Sequence, residues 1–123
     1  CPAGFKMPAN NAFTGFTTTG LTSSSPSDIN VDGTDNSQTY KNNFGHNFWT
    51  SSSKTATINF PASGYRDYSN GLLNSVGNSG ICWSSVPCSY SEGGCSMMFF
   101  PSYMSPLSRG ERPYGYSARP VAE

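Results

Sequence analysis

The chain has 123 residues, seven basic side chains against seven acidic, and only 11% charged residues, so its surface must be built largely from neutral Ser, Thr, Asn and Gly. That length supports one domain around one core, with roughly two-thirds of the unfolded surface buried on folding. Balanced charge without a Lys/Arg cluster argues against nucleic acid or anionic lipid as partners, no apolar run approaches a membrane span, and eight Phe, seven Tyr and two Trp argue against disorder.

No basic segment followed by an apolar one opens the chain, which therefore reads as a mature or excised domain. Pro2 and Pro8 keep the first eight residues extended. A short helix is expected next, capped by Asn10 or Asn11, with Phe13 and Phe16 three apart on one face and Thr17 to Gly20 ending it. From Leu21 to Asn47 the composition predicts loop with short strands. Phe48–Trp49 and Thr55–Phe60 carry strand chemistry; in the second, Ala56, Ile58 and Phe60 alternate with polar Thr57 and Asn59 until Pro61. Asn70-Gly71 signals a turn.

Three strands are expected in the last third: Ile81 to Ser85, Cys95 to Phe100 and Tyr114 to Val121. In the middle one, Met97 and Phe99 share one face while Ser96, Met98 and Phe100 share the other. The second face is expected to be exposed yet apolar, and Met98, Phe100, Tyr103, Met104 and Leu107 to form a contiguous patch of the kind that marks an interaction site.

Chemistry-bearing residues are sparse. His46 has no neighbouring nucleophile and reads as a surface or loop-packing residue, and the carboxylates are dispersed, so no catalytic residue and no cofactor are expected and the chain is read as a non-enzyme. Asp28-Ile29-Asn30-Val31-Asp32-Gly33 matches the first half of an EF-hand calcium loop, but the twelfth position is Thr39. An Asx-rich loop satisfying its own backbone is the expectation, with Asp28, Asn30 and Asp32 as the residues a calcium ion would take. Cys1, Cys82, Cys88 and Cys95 allow three pairings and fit no zinc spacing; a Cys82–Cys88 or Cys88–Cys95 bridge stands against isolated thiols.

Four segments together resemble a known family. Cys1-Pro2-Ala3-Gly4-Phe5-Lys6-Met7-Pro8, Phe60-Pro61-Ala62-Ser63-Gly64-Tyr65-Arg66, Trp83-Ser84-Ser85 and Arg112 to Val121 follow, in order, the motifs of the major-paralogous-domain modules of bacterial surface lipoproteins and fimbrial proteins. That resemblance implies an α+β, C-type-lectin-like fold over the whole chain, with a small irregular sheet, one or two short helices and long loops. It also implies that Trp83 is a core residue beside the sheet and that Arg119 ties the terminal strand into the domain. The family is similar to the formylglycine-generating enzyme, but no counterpart of that enzyme's catalytic cysteines aligns here. Cys1, within the opening motif, reads as a domain boundary rather than a lipidation site.

The stretch from about 80 to 121 also resembles the variable proteins of diversity-generating retroelements, which display lectin-fold surfaces on cells or phage tails. The implied binding surface is Ile81, Cys82, Cys88, Tyr90, Glu92, Ser96, Met98, Phe100, Tyr103, Leu107, Arg109, Glu111 and Tyr114. Rigid tyrosines with an Arg and a Glu suit a protein ligand or cell-surface receptor better than a carbohydrate. The expected function is thus ligand binding at an extracellular surface, bacterial or virion. The alternative is a structural or adhesin module of fixed specificity whose aromatic patch is buried against a neighbour.

Overall fold

A computed structural model describes residues 1–32, 45–88 and 93–123. Tyr90 and Glu92, and the second half of the calcium-like loop from Gly33, lie outside the described residues. Among those described, short antiparallel sheets dominate. β1 (Phe5–Lys6) pairs with β9 (Val121–Ala122), β2 (Gly45–Trp49) with β3 (Thr57–Pro61), and β4 (Tyr65–Arg66) with β5 (Leu73–Asn74). β6 (Gly80–Pro87), β7 (Gly93–Phe100) and β8 (Tyr103–Glu111) form a three-stranded sheet with β7 in the centre. Isolated bridges stitch these pieces together: Ser23 to Met104, Val31 to Phe48, Gly64 to Gly80, Arg66 to Gly115 and Cys82 to Ser117.

The expected helix forms as a 3-10 helix over Asn10–Phe16, because seven residues containing two Asn, a Thr and a Gly are too few and too poor as helix formers for a stable α-helix. Its cap is Ala9 with no side-chain hydrogen bond, so neither Asn10 nor Asn11 caps it. Three residues per turn align Phe13 and Phe16, whose rings lie 5.8 Å apart and are both buried. A second 3-10 turn spans Pro26–Asp28.

The core joins the inward face of the three-stranded sheet to β2, β3 and that helix. Met97, Phe99, Cys82 and Met104 meet Phe13, Phe16, Ile29, Val31, Phe48 and Phe60. Phe48 is its hub, fully buried, stacked on Phe16 at 4.1 Å and meeting Phe60 and Phe99 at 6.0 and 5.7 Å. The alternation expected in β3 holds for Ile58 and Phe60, whereas Ala56 lies before the strand and is exposed.

One strand expectation is corrected, and one strand is unexpected. Tyr114 to Val121 is not a strand; it is tied down at Gly115 and Ser117, and only Val121–Ala122 pairs as one. Its place in the sheet is taken by β8, which Pro106 and Gly110 disguise. β8 is an edge strand, and the four residues from Ser105 to Ser108 face the three from Ser96 to Met98, so Pro106 sits in a bulge where its missing N–H is tolerated.

His46 is buried between β2 and β7, its ring 4.9 Å from Phe99, and its Nε2–H donates to the Phe100 carbonyl at 3.1 Å. Burial holds its pKa below the ordinary 6.5, more than the Phe100 bond raises it. The folded state therefore binds this proton less readily than the unfolded state, so stability is full above the unfolded value and falls as pH drops below about 6.5 toward the folded value. The urea midpoint should be lower at pH 5 than at pH 7, and His46→Gln should reduce that difference; an unchanged difference in the variant would rule out His46 as its source.

Candidate binding surface

The outward face of the three-stranded sheet carries Ile81, in register with Met98 and then Ser105; Trp83 in register with Ser96 and Ser108; and Phe100 in register with Tyr103, their rings 5.9 Å apart. Met98, Phe100 and Tyr103 are half-buried. The exposure expected for Ser96 is absent: it is 1% exposed, a small side chain flanked in register by the much larger Trp83. Ile81 is 3% exposed, and Met104 belongs to the core, which removes it from the expected patch.

The other expected positions do not share that face. Cys82 points into the core, and burial pushes its thiol pKa up to about 11, against a smaller opposing effect of Arg119. Cys88 is bridged to Cys95, which settles the open pairing, while Cys82 and Cys1 are free thiols. Leu107 and Arg109 line a separate shallow cleft with Cys88 and Asn10; the bulge at Pro106 breaks the period-two alternation, and Arg109 lies in register with Cys95.

Glu111 and Tyr114 instead belong to an aromatic surface assembled from segments far apart in the chain, which includes Tyr65, Tyr68 and Tyr116, none of them among the expected positions. Its foundation is a pair of glycines in register, Gly94 on β7 and Gly110 on β8. A Cβ on Gly94 would stand 2.7 Å from the Trp83 ring, and one on Gly110 would stand 2.5 Å from the Tyr116 ring. Both rings thus lie over strand backbone where no side chain intervenes. Ser117 carries Tyr116 to this place: its carbonyl accepts from the Trp83 N–H at 2.9 Å, and the two rings meet at 4.4 Å.

Gly115 then pairs with Arg66 through two backbone hydrogen bonds of 3.1 and 2.9 Å. Tyr114 and Tyr116, two apart, stack in parallel at 5.4 Å, and Tyr65 meets both edge-on at 5.4 and 5.8 Å. Tyr68 caps the row edge-on to Tyr114 at 4.9 Å and is 52% exposed. Edge-to-face and offset pairs of this kind are each worth about 1 kcal/mol beyond burial.

The loop holding Tyr68 is built by its own polar side chains. Asp67 accepts from the Ser69 N–H at 2.8 Å, the Ser69 hydroxyl at 2.6 Å and the Asn74 amide at 3.3 Å, which together hold its pKa below the ordinary carboxylate value. Asn70 accepts from the Leu72 N–H at 2.9 Å, Gly71 takes a left-handed φ of 71°, and the Arg66 guanidinium donates to the Gly71 carbonyl. The Tyr68 phenol donates to Glu111, which raises its pKa. Tyr114 is raised by desolvation first and then by Asp67 and Glu111, and Tyr116 is pushed to about 12, again mainly by desolvation. The surface is therefore a row of neutral phenols, apolar in area, bordered by the Asp67 and Glu111 carboxylates and by Arg66 and Arg112.

Gly110→Ala should displace the Tyr116 ring from Trp83 at a cost of about 1–2 kcal/mol, read as a lower urea midpoint together with a changed tryptophan emission. Unchanged emission with unchanged stability would mean that the glycine pair does not position the rings.

The calcium-like residues serve the loop. Asp28 accepts from the Ser23 hydroxyl at 2.9 Å and the Asn30 amide donates to the Gly15 carbonyl at 3.0 Å. Among the described residues no group of three or more His, Cys, Asp or Glu could hold a metal ion, and no helix is long and apolar enough to cross a membrane.

A family profile matches residues 13–121, which takes in both the glycine pair and the whole tyrosine row. The chain belongs to the DUF8237 family. That family is described as a domain of unknown function, and its match leaves out β1, the first three residues of the 3-10 helix and the last two residues of the chain. No curated protein and no solved structure matches the chain.

Proposed function

We propose that this DUF8237 chain is a non-catalytic binding domain that engages a protein ligand through the row Tyr68, Tyr114, Tyr65, Tyr116 and Trp83. The observation that carries this reading is the half-exposed tyrosine row held on a paired-glycine platform beside Asp67 and Glu111. Tyrosine offers wide contact area at little entropy cost, and the row is held in place by the hairpin and the sheet beneath it, which is what a binding surface needs. Asp67 and Glu111 beside the tyrosines favour ligands with Arg or Lys, whose cations stack on tyrosine faces.

The finer reading is a C-type-lectin-like surface module, displayed on a cell, pilus tip or phage tail, whose segment from about 80 to 121 is varied by a retroelement. Separation of roles supports it: Met97, Phe99 and Met104 face the core, while Tyr103, Leu107, Glu111 and Tyr114 keep accessible surface that can change without repacking.

Selection of a random-peptide display library on the immobilised domain, counter-screened with the Tyr68→Ala/Tyr114→Ala double variant, tests the binding reading. Enriched peptides should be rich in Arg, Lys and aromatics and should lose about tenfold or more in affinity for the variant. Peptides that bind both proteins equally would overturn the assignment to this surface. A parallel set with Met98→Ala, Phe100→Ala and Tyr103→Ala asks whether the sheet's outward face contributes.

A second reading has its own observation. Leu72, Leu73 and Val76, next to the row, are each at least 60% exposed, which suits a structural module packed on a neighbouring domain or a second copy. Light scattering separates the two: a monomer at high concentration favours the receptor reading, and self-association abolished by Leu72→Ser/Leu73→Ser favours the structural one.

A further inference from the structure

On another part of the molecule, a cleft of about 700 Å³ opens between the first 3-10 helix, the β2–β3 turn and the C-terminal segment. Its floor is apolar, formed by Phe16, Ile58 and Trp49, and the charged side chains lining it are Lys54 and Arg119, with no carboxylate among the described lining residues. The volume is that of a small-molecule site.

The walls are held before any ligand arrives. Asn30 joins them: its amide donates to the Gly15 carbonyl at 3.0 Å, its N–H donates to the Phe16 carbonyl at 2.9 Å, and its carbonyl accepts from the Trp49 N–H at 3.0 Å. The Arg119 guanidinium is fixed by donating to the Asn59 carbonyl and by lying 4.5 Å over the Phe60 ring. Lys54 closes the turn that begins at Ser51, its N–H donating to the Ser51 carbonyl at 3.1 Å, with a left-handed φ of 53° that a non-glycine residue adopts at a cost. A fixed guanidinium and a lysine thus line an apolar slot.

We infer that this cleft binds a small organic anion with a flat apolar body, such as an aryl carboxylate or sulfonate. The apolar part lies against Trp49, Ile58 and Phe16, and the anionic group is recognised by Lys54 and Arg119. This site is separate from the tyrosine row and does not depend on the function proposed for it.

The probe is 1-anilinonaphthalene-8-sulfonate, with the uncharged N-phenyl-1-naphthylamine as its control, followed by fluorescence and by amide chemical shifts in the intact chain. One saturable site is expected, with shifts at Thr18, Asn30 and Ser51 to Lys54. Lys54→Ala should weaken the sulfonate about threefold and Lys54→Glu about tenfold, while both leave the neutral dye unchanged. Lys54 is exposed, so neither variant should unfold the chain. No saturable binding, equal affinity of the sulfonate for wild type and Lys54→Glu, or shifts confined to Tyr68 and Tyr114 would each overturn the inference.

Discussion

Replacing Phe48 with alanine should destabilise the fold by about 4 kcal/mol. The side chain is 0% exposed and, among the described residues, is the one ring that Phe16, Phe60, Phe99 and His46 all contact, at centroid distances of 4.1, 6.0, 5.7 and 5.5 Å. Removing it costs the transfer energy of a buried aromatic and leaves a cavity between the 3-10 helix, β2 and the three-stranded sheet. Those three elements are too short to be stable alone, so the cavity cannot be closed by one of them refolding around it. A domain of this size has roughly 5–15 kcal/mol to lose, and much of that would go. Urea denaturation of wild type and variant measures it. A loss below about 1 kcal/mol would show that Phe48 is not the hub of the core.

The second large effect belongs to Gly64→Ala, expected to cost about 3 kcal/mol and to weaken binding at the tyrosine row. Gly64 has a φ of 65°, and a Cβ there would stand 2.2 Å from the Asn74 carbonyl oxygen and 2.7 Å from the Val76 nitrogen. Both obstacles are backbone, so no rotamer change relieves them. Gly64 also bridges to Gly80, and its N–H donates to the Ser79 carbonyl at 2.8 Å, so the position locks the β4–β5 hairpin onto β6. That hairpin carries Tyr65 and the loop that presents Tyr68, and a shift at its root moves both. Stability and peptide affinity should fall together; a variant as stable as wild type would contradict the strain argument.

Much of the fold's outline is legible in the sequence. Alternation around Ile58 and Phe60 finds β3, the apolar run at Met97 to Phe100 finds β7, and the Phe13–Phe16 spacing finds the helical turn, though not its 3-10 form. The small antiparallel arrangement with short helices and long loops is as expected. β8 escapes because Pro106, Gly110 and several serines look like loop until the bulge and the edge position are known.

The candidate site is less legible for a physical reason. Strand alternation assigns side chains to faces but does not say what covers a face. Ser96 and Ile81 point outward in sequence logic and are nevertheless buried, while the bulge at Pro106 sets Leu107 and Arg109 off the expected face. The tyrosine row needs contacts from residue 65 to residue 116 and a pair of glycines aligned across two strands, and spacing along the chain encodes neither. A signal was present in the runs Tyr65-Arg66-Asp67-Tyr68 and Tyr114-Gly115-Tyr116, where aromatics at short intervals flank small or charged residues.

The most direct test of an exchangeable surface on a fixed core is the DNA downstream of the gene. A near-copy of the segment encoding about Gly80 to Val121 should be found, beside a reverse transcriptase. Its differences should fall mainly at adenines, at codons for accessible positions such as Tyr103, Leu107, Glu111 and Tyr114. The codons for Gly94, Met97, Phe99, Met104 and Gly110 should be unchanged. No such copy, or one whose differences fall on those buried and glycine codons, would contradict a diversified surface and leave a binding module of fixed specificity.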